Sequence, residues 1–154
     1  SPASLPRAAV EAHIALHLSE AAVAAWIADP ERIVLVGAAA DAPETLLGYA
    51  MYETAAAPEA PVTERLGDVP AGHLSKLYVL AEGRGTGLAE ALVHDGVERL
   101  RRLGFRHVWL GTNAQNARAN RFYERLGFET VGARQFVVGG ERVEDDWVRL
   151  LTVA

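Results

Sequence analysis

Residues 77–103 read LYVLAEGRGTGLAEALVHDGVERLRRL, and the way this stretch folds decides the rest. It opens apolar and strand-like, packs three glycines and an arginine into residues 83–87, and then recovers helical spacing through Leu88, Leu92, Gly96 and Leu100. The expectation is strand, tight loop, helix. A helix that starts at a glycine loop presents amides with no intrahelical partner, backed by the positive end of the helix dipole. Such a start attracts phosphate. A side chain at Gly85 or Gly87 would hold a diphosphate off the backbone, and Arg84 adds a charged fork.

Two well-known phosphate loops fail here. A Walker loop needs Lys-Ser/Thr after its last glycine, where this chain has Leu88 and Ala89. The dinucleotide fingerprint counted from Gly85 and Gly87 needs a third glycine at position 90, which is Glu90. Arg84-Gly85-Thr86-Gly87-Leu88-Ala89 instead resembles the acyl-coenzyme A loop of the GNAT N-acetyltransferases, Arg/Gln-x-x-Gly-x-Gly/Ala. A second stretch downstream, residues 113–129 (NAQNARANRFYERLGFE), resembles that family's Asn-x-x-Ala-x-x-Phe-Tyr-x-x-x-Gly-Phe through Asn116, Ala119, Phe122, Tyr123, Gly127 and Phe128. The likeness runs from about residue 33 to the C-terminus.

Composition sets the frame. At 154 residues, half of them apolar, the chain is expected to form a single domain over residues 1–154, with a core large enough to need no disulfide or metal. It has no cysteine, which excludes disulfides, thiolate metal sites and cysteine nucleophiles. No apolar run is long enough to span a membrane and no basic-then-apolar leader opens the sequence, so the expected location is cytoplasmic. A net charge of −5 argues against nucleic acid as a partner and for tolerance of cationic small molecules.

Along the chain, residues 1–6 form a loose start. Val10, Ile14, Leu18, Val23, Trp26 and Ile27 suit two short helices, the second capped by Ser19 and stopped at Asp29-Pro30. Residues 32–40 and 45–54 read as strands with a turn at 42–44, and residues 55–72, with three prolines and two glycines, as a loop containing at most a helical turn. Strands at 73–80 and 107–113 flank the helix at 87–103, which Gly104 stops. A short helix at 116–126 ends at Gly127, and two strands, 130–138 and 143–153, meet at a Gly139-Gly140 turn. This is mixed α/β.

The resemblance implies the GNAT fold, a mixed and mostly antiparallel central sheet flanked by helices, although the family's usual first strand is not visible here. That strand is expected either to be absent or to lie outside this sequence. An exposed sheet edge of that kind would favour a homodimer. The resemblance also implies acetyl-CoA as cosubstrate, with no metal. Its diphosphate would lie on the loop of Arg84, Gly85, Thr86, Gly87, Leu88 and Ala89, its pantetheine along the backbone of Leu77, Tyr78 and Val79, and Asn116 would bond the same arm unless it only caps its helix. Tyr123 matches the family's general acid.

The base is less direct. The family often carries Glu where this chain has His73, whose near-neutral pKa suits the task, and Glu53 on the preceding strand is a second candidate. A water chain with no single base is the remaining option. His13, His17 and Glu20 share a helix face but complete no metal site. Glu141, Glu144, Asp145 and Asp146 crowd the last hairpin, read as a solvated turn and edge strand or else as a seat for a cationic amine. Trp109-Leu110-Gly111, Val131-Gly132 with Phe136, and the Gly139 turn further resemble the PaiA-type spermidine and diamine acetyltransferase branch.

The implied activity is acetyl transfer from acetyl-CoA to a small cationic primary amine by direct attack in a ternary complex, consistent with the lack of cysteine. Rival acceptors are a protein or peptide amine and an aminoglycoside. A non-catalytic acyl-CoA-binding module is the rival from another class.

Overall fold

A computed structural model of the chain describes residues 25, 27–138, 140 and 142–153. The two N-terminal helices, apart from a few residues before Asp29, and the His13/His17/Glu20 face lie outside them, as does the place of a first strand ahead of residue 25. The elements are strands β1 (Arg32–Ala39) and β2 (Ala42–Glu53), helix α1 (Ala60–Leu66), β3 (Gly72–Val79), a 3-10 turn (Ala81–Gly83), α2 (Leu88–Arg102), β4 (His107–Asn113), α3 (Ala117–Arg125), β5 (Glu129–Val138) and β6 (Arg142–Thr152). The strands hydrogen-bond in the order β1-β2-β3-β4-β6-β5. β3 and β4 run parallel, whereas β6 is antiparallel to both β4 and β5. The expected mixed sheet with flanking helices is therefore present.

The described residues fall into two compact units, one made of those up to Tyr52 with Lys76–Gly96, the other of Glu53–Ser75 with residues 97–153. In the first, small residues make room for large ones. Tyr52 is fully buried at the end of β2 and donates its hydroxyl proton to Leu92 O (3.0 Å) or Val93 O (3.3 Å) of α2. A Cβ on Gly96 would stand 2.0 Å from that ring, so the helix can pass Tyr52 only with glycine there. Leu88, at the start of α2, fills the space left at Gly37 of β1 in the same way.

In the second unit, Val62 of α1, Ala71, Trp109 of β4, and Val148 and Leu150 of β6 form a buried cluster, with Leu66 and Val131 against it. Gly132 of β5 makes room for Pro61. Both long helices stop by the same device. Gly104 (φ +102°) and Gly127 (φ +99°) take left-handed conformations, and the residues after them bond back, Phe105 N–H to Leu100 O and Phe128 N–H to Tyr123 O, both at 3.0 Å.

Three expectations change. Residues 55–72 contain a two-turn helix, α1, because Pro61 occupies one of its first two positions, where a missing N–H costs nothing. β2 begins at Ala42, so the β1–β2 turn lies at residues 40–41 rather than 42–44. β6, which carries Asp145 and Asp146, is an interior strand between β4 and β5, and Asp146 is buried on it; the edge strand of the hairpin is β5. The remaining boundaries agree to within a residue, and β4 matches at both ends.

Candidate active site

The glycine loop belongs to the first unit. Gly83 closes the 3-10 turn and is packed against Val79, Leu88 and Leu47, so it is a packing glycine. Gly85 (φ +76°) and Gly87 (φ +86°) differ: they hold conformations disfavoured for other residues, and nothing lies within 4 Å of a Cβ placed on either. The space in front of them is open. Thr86 donates its hydroxyl to Gly83 O and ties the loop across its base. The first bond of the helix proper runs from Ala91 N–H to Gly87 O, which leaves the earlier amides of the turn without an intrahelical acceptor. Arg84 is exposed beside them. Leu77, Tyr78 and Val79 are half-buried, and Tyr78 meets Tyr49 at 6.4 Å between ring centres.

The second unit holds the other named side chains, and two of them meet. His73 Nδ1 lies 2.9 Å from Glu53 Oε1. A carboxylate can only accept, so Nδ1 carries the proton and Nε2 carries the lone pair when the ring is neutral. Burial pulls the His73 pKa below its ordinary value, with Arg134 acting the same way, while the Glu53 hydrogen bond and charge and the more distant Glu59 push back. The ring is therefore neutral at pH 7. It stacks on Trp109, 3.9 Å between centres and 10° from parallel, which fixes its plane.

β3 and β4 pair in parallel at Gly72↔Val108 and His73↔Trp109, which sets the histidine beside the indole.

Tyr123 sits two positions before the end of α3, as the residue whose carbonyl receives Phe128 N–H. Its ring meets Phe122 and Phe128 edge-on, at 5.2 and 5.7 Å. The sequence signature thereby gains a local explanation. Asn116 opens the helix by accepting Ala119 N–H on Oδ1 (3.1 Å), Gly127 turns the chain out, and Phe128 packs back on Tyr123. Burial pushes the Tyr123 phenol up to about 12. No hydrogen bond of its hydroxyl, to His73, Glu53 or any other group, is found among the described residues.

Sequence reasoning missed four polar side chains here. Arg134 of β5 donates to Asp146 Oδ2 through Nε (3.2 Å) and Nη2 (3.0 Å), and through Nη1 to Glu59, the residue that precedes α1. Gly111 leaves space for that guanidinium, since a Cβ there would stand 2.7 Å from Nη2. Arg149 of β6 is 2 % exposed and bonds Asn120 of α3. The only sequence trace of Arg149 is a charge in the otherwise apolar run WVRLL, where alternation already places Val148 and Leu150 on the opposite face. The indole N–H of Trp109 and the hydroxyl of Thr112 are buried without a partner among the described residues. Among the described residues no three His, Cys, Asp or Glu side chains group as metal ligands, and no helix is long and apolar enough to cross a membrane.

Residues 6–128 match the model of the acetyltransferase (GNAT) family. The chain belongs to that family. An N-acetyltransferase of Mycobacterium tuberculosis is 36% identical over 151 residues, spanning 96% of this chain and 86% of that protein. A mycothiol acetyltransferase of a Parafrankia species is 40% identical over 91 residues, 54% of this chain and 28% of that protein. In fold, an acetyltransferase from Bacillus anthracis crystallised with acetyl coenzyme A superposes with a TM-score of 0.67 at 17% identity, covering 85% of this chain and 68% of that one. The protein is a GNAT-family N-acetyltransferase, a family whose fold uses acetyl-CoA.

Proposed function

We propose that this GNAT enzyme acetylates a primary amine from acetyl-CoA by direct attack in a ternary complex, with residues 1–154 acting as one domain. The observation that carries the reading is the 2.9 Å Glu53–His73 hydrogen bond, which orients a neutral imidazole with its Nε2 lone pair unspent. Acetyl-CoA supplies the activated acetyl group. The open faces of Gly85 and Gly87 are what a diphosphate needs, because any Cβ there would occupy the approach to the amides. Arg84, Thr86, Leu88 and Ala89 complete that loop, and the backbone of Leu77, Tyr78 and Val79 bonds the pantetheine, with the side-chain amide of Asn116 free to assist.

Nε2 of His73 takes the proton released as the amine nitrogen bonds to the acetyl carbon, and Glu53 stabilises the imidazolium that results. Tyr123 is assigned to the departing sulfur by its match to the family's general acid. A phenol at about 12 and an ordinary thiol near 8.5 differ by about 3.5 units, roughly 5 kcal/mol against complete proton transfer. Its first contribution is therefore a hydrogen bond to the developing thiolate, and proton delivery follows only where the bound ligand lowers the phenol.

For the acceptor we favour a small cationic amine of the polyamine class. Of the charges that act on His73, Glu53 and Glu59 outnumber Arg134, the chain carries −5 overall, and the C-terminal third resembles the PaiA-type branch. Thiol release from acetyl-CoA, measured with spermidine, putrescine, peptides with a free N-terminus, lysine peptides and aminoglycosides, tests this reading. Release with the polyamines is expected. Release with peptides alone changes the acceptor but keeps the chemistry. Calorimetric binding of acetyl-CoA without release from any amine points to the non-catalytic module instead.

A further inference from the structure

We infer that Asn120 and Arg149 are positioning residues for Tyr123, a buried amide–guanidinium pair that fixes the helix carrying the phenol; this rests on the role proposed for Tyr123. Arg149 Nε and Nη2 both donate to Asn120 Oδ1 at 3.1 Å, Nη1 donates to Phe128 O at 3.0 Å, and Nη2 also reaches Glu124 Oε1 at 3.0 Å. Asn120, itself buried, spends both amide hydrogens on Asn113 O (3.0 Å) and Asn116 O (2.8 Å). The amide thereby reaches its full set of partners, two bonds in and two out.

These bonds converge on the residues around the phenol. The Phe128 peptide is held at both ends, its N–H on Tyr123 O and its carbonyl on Arg149, while its ring sits edge-on to the Tyr123 ring. The Asn113 and Asn116 carbonyls fix the other end of α3, where it leaves β4. One guanidinium thus sets both how far the helix stands along its axis and how it is rotated.

A helix-to-sheet contact made only for stability is built more cheaply from apolar side chains, because a buried cation carries a desolvation penalty of several kcal/mol that its partners must offset. Among the described residues the only carboxylate on Arg149 is Glu124, which is 61 % exposed. What the arrangement gains over an apolar contact is a single allowed register, which a hydroxyl aimed at a leaving sulfur requires.

The test is a double-mutant cycle with Tyr123→Phe. Asn120→Asp keeps an acceptor for Arg149 but removes both donated hydrogens. Glu124→Gln alters only the exposed partner and leaves the core untouched, so it stands in if Asn120→Asp does not fold. We expect kcat to fall about 10-fold in Asn120→Asp and about 2- to 3-fold in Glu124→Gln, with the calorimetric Kd for acetyl-CoA unchanged. In the Tyr123→Phe background both changes should leave kcat within about 1.5-fold of the single variant. Losses that multiply across Tyr123→Phe, or a folded Asn120→Asp with the parent kcat, overturn the inference. Undiminished kcat in Tyr123→Phe alone is a separate result that removes the role of the phenol, and this inference with it.

Discussion

Nδ1 of His73 donates to Glu53 Oε1 across 2.9 Å, joining the second residue of β3 to the last residue of β2. With the ring pKa held below its ordinary 6.5 by burial, the lone pair on Nε2 is available throughout the neutral range. With saturating amine, kcat should fall on acidification with a midpoint below pH 6.5. Glu53 raises that pKa, so Glu53→Gln should move the midpoint lower still and reduce kcat about 10-fold at neutral pH. His73→Gln should abolish the limb and cost about 100-fold or more. A limb that survives in His73→Gln would assign it to another group. The depressed folded pKa also ties stability to pH: the contribution is complete above about 6.5 and is lost as pH falls through the lower folded value.

Tyr123→Phe should separate chemistry from folding. Turnover should drop by about 100-fold, with acetyl-CoA binding retained. Thermal stability should hold or rise by up to about 1 kcal/mol, because the change removes a desolvated hydroxyl that has no bond among the described residues. A large loss of stability would show that the hydroxyl makes a structural bond.

The glycines of α2 and its loop should sort by what surrounds them. Gly85→Ala and Gly87→Ala meet only backbone strain, about 1 kcal/mol each, since space is open at both, and their main effect should be a weaker calorimetric Kd for acetyl-CoA. Gly96→Ala drives a methyl into the Tyr52 ring and should cost about 3 kcal/mol or more, or prevent folding. Urea melts of the three variants check the contrast.

Arg134→Met removes the one guanidinium that serves Asp146 and Glu59 together. Asp146 is buried, but Arg134 is about a third exposed, so the loss should be about 1–3 kcal/mol rather than the value for a fully buried pair. Adding Asp146→Asn should restore about half or more of it, because an amide tolerates the site without a counterion. No recovery in the double variant would mean that Arg134 acts through packing.

Much of this could be read locally. The 27 residues at 77–103 gave strand, loop and helix, and Gly104 its stop, because each depends on neighbours a few positions away. The Asn116-to-Phe128 signature was recognisable for the same reason: its cap, its Gly127 turn and its Tyr123–Phe128 contact all close within thirteen residues. α1 was missed because its three neighbouring prolines read as breakers, whereas Pro61 enters at the first turn, where proline is accepted. Within the last hairpin, that β5 and not the acidic β6 forms the sheet edge could not be read, because strand order leaves no mark in a strand's own residues.

By itself the sequence determined most of the elements, the glycine loop and the family, since propensity, periodicity and turn chemistry act over short spans and leave a legible pattern. It also named Glu53 and His73, but singly. That they are one hydrogen-bonded pair, that Asp146 is spent on Arg134, and that Arg149 sits buried on Asn120 were decided only by the tertiary structure. The reason is physical: these bonds join residues 12 to 29 positions apart, and each exists only once strand pairing or helix docking has brought its two ends within about 3 Å.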